Sequence, residues 1–94
     1  MNLRLSPEAQ TDLQAIHDYL IERSPQGCLR VLTAFEASFA QVEAFPLIGH
    51  EGRVDATREL KIPRYPYVIV YDLPDETDID VLRILHCAQK WPSA

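Results

Sequence analysis

At 94 residues, 47% apolar and 24% charged, the chain has the length of one domain (residues 1–94) and the composition of a folded globular protein rather than a disordered one. Nine basic against fourteen acidic side chains leave a formal charge of −5, which argues against holding nucleic acid by general attraction and favours a basic protein partner. The opening Met1–Leu5 lacks the charged-then-apolar plan of a secretory signal, and no apolar run approaches the roughly 18 residues of a membrane span, so a cytoplasmic location without membrane contact is expected.

Leu3 and Leu5 alternate with Asn2 and Arg4, the period of a short strand with one buried face. Ser6-Pro7-Glu8 then opens a helix: a hydroxyl at the N-cap, a proline where its missing N–H costs nothing, and a carboxylate favoured by the helix dipole. Ala9, Leu13, Ile16 and Leu20 recur at helical spacing, which leaves Gln10, Asp12, Gln14 and Asp18 to water and ends the helix near Glu22. Ser24-Pro25 repeats the start signal. Cys28, Val31, Leu32, Phe35, Phe39 and Val42 form a wider stripe, extended by Phe45, before Pro46 stops the second helix. So short a link makes the two helices an antiparallel hairpin whose apolar stripes need a sheet to cover.

Leu47 to Ala56 holds Gly49 and Gly52 and keeps no period, so it reads as a surface loop. Arg58, Leu60 and Ile62 alternate with Glu59 and Lys61 on a second strand, and Pro63-Arg64-Tyr65-Pro66 turns the chain. Tyr67 to Asp72, apolar on both faces, is a central third strand; Pro74 to Thr77 turns again, with Asp75, Glu76 and Asp78 as a solvated tip; Ile79 to His86 is the last strand. The order is β-α-α-β-β-β, an α+β fold in which a helical hairpin packs on a twisted antiparallel sheet, its last three strands a meander.

The chemistry-bearing residues are few. His17, His50 and His86 lie on separate elements without paired ligands, so no metal and no cofactor is expected. Cys28 and Cys87 lack metal or disulfide spacing and read as small apolar residues. No Ser-His-Asp or glycine-rich phosphate motif occurs. Arg83, between apolar neighbours, is either an outward strand residue or a cross-sheet partner of Glu59. His86 has the setting of a structural histidine, and Tyr65, Tyr67 and Tyr71 that of sheet aromatics. Six of the nine cations, Arg53, Arg58, Lys61, Arg64, Arg83 and Lys90, fall in the second half and leave room for a local basic patch.

Leu5-Ser6-Pro7-Glu8-Ala9, the Asp12-Leu13, Ile16 and Tyr19-Leu20 helix, Phe45-Pro46 with Gly49, Thr57-Arg58-Glu59-Leu60, Tyr67 to Tyr71 and Val81 to His86 together resemble the RelE/ParE superfamily of type II toxin–antitoxin toxins, nearly end to end. The resemblance implies the same helical hairpin on a sheet, a cognate antitoxin as partner and two competing activities. RelE-like members cleave mRNA on the ribosome; ParE-like members, known also as plasmid stabilisation proteins, poison DNA gyrase without being enzymes.

Cleavage by the RNA's own 2′-OH needs a proton acceptor, a proton donor and cations at the phosphate. Val68, Ile69 and Val70 stand where RelE-like toxins carry an Arg after the Tyr, Cys87-Ala88-Gln89 stand where they carry another, and the tail Lys90-Trp91-Pro92-Ser93-Ala94 has no Tyr. The ParE-like reading is therefore preferred, with no catalytic residue assigned. A growth-inhibiting gyrase contact is expected through Arg58, Lys61, Arg64, Arg83, His86, Lys90 and Trp91. The antitoxin is expected over Leu13, Ile16, Leu20, Leu32, Phe35 and Phe39 by helix docking and strand addition, and nucleic acid is expected only through that antitoxin. An mRNA endonuclease is the alternative. A third reading, motivated by the charge of −5, is an inactive relative that binds an antitoxin and serves operon autoregulation.

Overall fold

The computed structural model describes residues 1–92. Strand β1 (Asn2–Leu5) passes through Ser6 into helix α1 (Pro7–Arg23), and Ser24 alone separates α1 from α2 (Pro25–Ala44). Four strands follow: β2 (His50–Glu51), β3 (Thr57–Lys61), β4 (Tyr67–Asp72) and β5 (Asp78–His86). They form one sheet in the order β1-β5-β4-β3-β2.

Both helix starts are built as the sequence indicates. The Ser6 hydroxyl accepts from the Ala9 N–H at 3.0 Å, and the Ser24 hydroxyl accepts from the Gly27 N–H at 3.0 Å, each followed by proline in the first turn. Ser24 also closes α1, donating its own N–H to the Leu20 carbonyl at 2.9 Å. One residue thus serves two helices.

The sheet differs from the expected antiparallel one in two respects. β1 pairs with β5 in parallel, so the sheet is mixed; parallel neighbours need a long connection, and here everything from α1 to β4 lies between them. The segment expected as plain loop contains β2, whose two residues pair with Glu59 and Arg58 of β3. Two residues show no alternation, which is why the sequence carries no sign of that strand. The meander β3-β4-β5 is as expected, with one bulge where Val70 faces Arg83 but Tyr71 faces Val81, leaving Leu82 as the extra residue.

Strand alternation decides what each face carries. Toward the helices point Ile62, Tyr67, Ile69, Tyr71, Ile79, Val81 and Ile84, buried against Ala9, Val31, Phe35 and Val42. Phe35 is the centre of this contact, its ring 5.6 Å from Tyr67 and 6.1 Å from Phe39. Phe45 does not extend that stripe: α2 stops at Ala44, and Phe45, as its C-cap, is exposed. The opposite face has rows Glu59–Val70–Arg83 and Lys61–Val68–Leu85 in register. Val70 and Leu85 are fully buried there. Across this face Arg53 ties the β2–β3 connection both to Glu59 and to the Gln89 carbonyl of the segment after β5.

Candidate functional site

The cations expected to line a binding rim are mostly occupied inside the molecule. β1 ends at Leu5 opposite Val81, so β5 runs on with an uncovered edge. Helix α1 fills that edge: the Ser6 hydroxyl donates to the Leu82 carbonyl at 2.9 Å, and the Asp12 carboxylate accepts from the Ile84 N–H at 2.9 Å. The same carboxylate takes two hydrogen bonds from Arg83, at 2.7 and 3.1 Å. Asp12 is therefore not left to water, and Arg83 neither points outward nor pairs with Glu59. A helix bordering a sheet edge must satisfy that edge's donors, and a carboxylate does so while binding the nearest guanidinium. Hydrogen bonding to Asp12 raises the Arg83 pKa further above its ordinary range.

Glu59 finds Arg53 instead, through hydrogen bonds from its Nε, Nη2 and backbone N–H at 3.1, 3.2 and 2.8 Å. Burial pushes the Glu59 carboxyl pKa up, but the hydrogen bonds and charge of Arg53 outweigh it, and the net shift is downward. Arg58 faces the helices' side of the sheet and donates to the Gly49 and Leu47 carbonyls at 3.0 and 3.1 Å. The Lys61 ammonium donates to the Tyr65 and Ile62 carbonyls at 3.2 and 3.4 Å, bracing the β3–β4 turn.

His86, at the end of β5, stands edge-on to Tyr67 with ring centroids 5.8 Å apart, and its Nδ1 accepts from the Ala88 N–H at 3.1 Å. Its accepting Nδ1 puts the proton of the neutral ring on Nε2. Arg64, in the left-handed region at φ 72°, and Lys90 are exposed, and Trp91 is half-buried. Of the seven candidates, Lys61, Arg64 and His86 share the end of the sheet at the β3–β4 turn. Arg58 and Arg83 are tied elsewhere, to the segment after α2 and to α1. Among the described residues no group of three or more His, Cys, Asp and Glu is placed to hold a metal ion, and no helix is long and apolar enough to cross a membrane.

Two apolar grooves flank the same end of the molecule. One, of about 670 Å³, lies between α1, α2 and the start of β4 and is lined by Ile16, Tyr19, Leu20, Val31, Tyr65 and Tyr67, with Arg30 and His86 as its polar groups. The other, of about 690 Å³, runs along α2 beside the β3–β4 turn, from Leu29 and Ala34 to Pro63, with Arg30 and Arg64. Arg30 and Tyr65 belong to both, and neither is lined by an acidic residue, although the chain has fourteen.

Residues 3–91 match the family model described as the ParE toxin of the type II toxin–antitoxin system parDE. The chain belongs to the ParE toxin family. It is 29% identical over 90 residues to Y4kP of Sinorhizobium fredii, a protein provisionally named a toxin; the match covers 96% of this chain and 92% of that one. Its fold is similar to that in the chromosomal ParDE toxin–antitoxin system of P. aeruginosa, with a TM-score of 0.81, 22% identity and coverage of 92% and 95% of the two chains. It is also similar to the RelBE2 toxin–antitoxin complex of Mycobacterium tuberculosis, with a TM-score of 0.63, 25% identity and coverage of 90% and 95%.

In this ParE family member the six residues expected under an antitoxin divide by burial. Phe35 is 1% exposed and is already covered by the chain itself. Leu13, Ile16, Leu20 and Phe39 are partly buried against the core, and Leu32 is half-buried. Only Ile16 and Leu20 line the groove between α1, α2 and β4. The other groove residues, Tyr19, Arg30 and Tyr65, were missed because each departs from its helix stripe or lies in a turn, where periodicity gives no signal. Cys28 is buried as expected, whereas Cys87 is exposed in the turn after β5.

Proposed function

We propose that this ParE family toxin arrests growth by gripping DNA gyrase through protein–protein contact, with no bond-making chemistry of its own, and that a cognate antitoxin neutralises it. One observation carries the non-enzymatic reading: Arg83 is held by Asp12, Arg53 by Glu59, and Arg58 and Lys61 by backbone carbonyls, which leaves the exposed Arg64 and His86 beside Lys61 at the β3–β4 turn as too small a set to neutralise a scissile phosphate. Freeing the held cations would cost the ion pairs and carbonyl bonds that hold the fold, and transition-state stabilisation works only through groups already aimed at the reacting charge. The two grooves support the antitoxin. Their apolar lining with Arg30, Arg64 and His86, free of carboxylates, fits an amphipathic segment whose exposed side carries Asp or Glu.

The likeness to RelBE2 keeps ribosome-dependent mRNA cleavage as the second reading. Induction of the chain in a bacterial host, followed by a plasmid-topology gel and a transcript-cleavage assay, separates them. Growth arrest with loss of supercoiling and accumulation of cleaved plasmid is the expected result. Intact supercoiling with severed ribosome-bound transcripts would overturn the gyrase reading, and unimpaired growth would favour an inactive antitoxin-binding relative.

A further inference from the structure

Between α2 and β2 the chain makes the turn Phe45-Pro46-Leu47-Ile48, and it treats that turn unusually. Its backbone is fastened from all sides. Ile48 N–H donates to the Phe45 carbonyl at 2.9 Å. The buried Tyr71 hydroxyl donates to the Pro46 carbonyl at 2.7 Å and accepts from the Gly49 N–H at 3.0 Å. Arg58 takes the Leu47 and Gly49 carbonyls. The side chains, in contrast, are left outside: Phe45 is 67% exposed, Leu47 69% and Ile48 41%.

Loops normally cover such side chains or lack them, because adjacent exposed apolar groups mark an interaction surface or an aggregation hazard. Here a core tyrosine and a sheet arginine hold the display still. A pre-ordered apolar tip loses little conformational freedom when a partner covers it, which is the property of an anchor residue. Exposed carboxylates flank the tip in sequence on both sides. Glu43 stands exposed in the last turn of α2, at the negative pole of a helix that has no basic residue there, and Glu51 is exposed just beyond the turn. Arg58, the cation that touches the turn, points into its carbonyls.

We infer that the Phe45–Ile48 turn is the contact this toxin presents to its target: a rigid apolar plug with an acidic collar, seated in an apolar pocket whose rim is cationic. Charge complementarity selects that occupant. A protein that handles DNA carries cations where phosphates lie, and a chain of net charge −5 is drawn to such a surface rather than repelled. The inference rests on the gyrase reading for the identity of the pocket, and it moves the contact away from the basic residues of the sheet rim.

The test compares the full chain with Phe45→Ser/Leu47→Ser, with Glu43→Lys, and with Ile21→Ser, an exposed apolar residue on α1 away from the turn and from both grooves. Each is measured for gyrase inhibition on supercoiled plasmid, for growth arrest on induction and for thermal melting. The double variant is expected to need at least about tenfold more protein for inhibition and to lose growth arrest, with melting unchanged. Glu43→Lys is expected to weaken inhibition about threefold, and Ile21→Ser to change neither readout. A double variant that still arrests growth overturns the inference whatever happens with gyrase, and so does an Ile21→Ser variant equally impaired. A parent chain that spares gyrase but loses growth arrest on the double substitution overturns the gyrase reading and upholds the turn. A parent chain that does neither overturns both.

Discussion

Asp12 does three things with one carboxylate: it binds Arg83 twice, accepts the edge N–H of Ile84 and so locks α1 to the end of β5. Asp12→Ala leaves a half-buried guanidinium and a strand donor without partners. The expected loss is about 2–4 kcal/mol, read as a lower midpoint in urea unfolding, with Arg83→Ala losing a similar amount and the double variant far less than the sum. Asp72 is the opposite case. Its Oδ1 is buried without a partner among the described residues, and burial, then the charge of Asp80, raises its pKa although Arg4 opposes them.

An acid whose folded pKa lies above its unfolded one binds its proton more tightly in the folded state. It therefore costs stability as pH rises through the window between the two values. Asp72→Asn is expected to melt higher than the parent at neutral pH, by on the order of 1 kcal/mol of stability, and to converge with it in acid. Glu59 has the reverse sign: its lowered pKa contributes stability above the unfolded value that is lost as pH falls through the folded one.

Among the elements, β4 and the turn after α2 depend on each other through Gly49. A Cβ at that position would lie 2.8 Å from the Tyr71 hydroxyl and 3.0 Å from the Glu59 carbonyl, so the close approach, rather than backbone freedom, is what requires glycine. Gly49→Ala is expected to cost about 1–3 kcal/mol by forcing Tyr71 from the core or breaking its bonds to Pro46 and Gly49. Thermal melting measures the cost, and Tyr71→Phe, which removes the hydroxyl that an added methyl would strike, should relieve part of it. The helices were legible in the sequence because Ser-Pro starts and the 3.6-residue stripes of Ala9–Leu20 and Cys28–Val42 are written locally. β2 was not, since two edge residues acquire strand geometry only from the neighbour they pair with.

For the whole molecule, the placement of charge matters more than its sum. Acidic groups gather at the β4–β5 end, where Asp78 and Asp80 meet Arg4, whereas both grooves at the other end carry only cations. Arg30→Glu reverses the charge shared by the two grooves and should weaken a cognate antitoxin about tenfold in titration calorimetry, with a shallower salt dependence, while leaving melting unchanged. Helix caps and strand periods, with the family resemblance, were enough to set the fold class, because caps and periods are properties of residues near one another in the chain. Which cations are free was decided only in three dimensions. Arg83 meets Asp12 across 71 positions, and Arg58 meets a turn nine to eleven residues before it. A basic residue in a strand reads as an exposed charge until the fold supplies a carboxylate or a row of carbonyls, and here it supplied both.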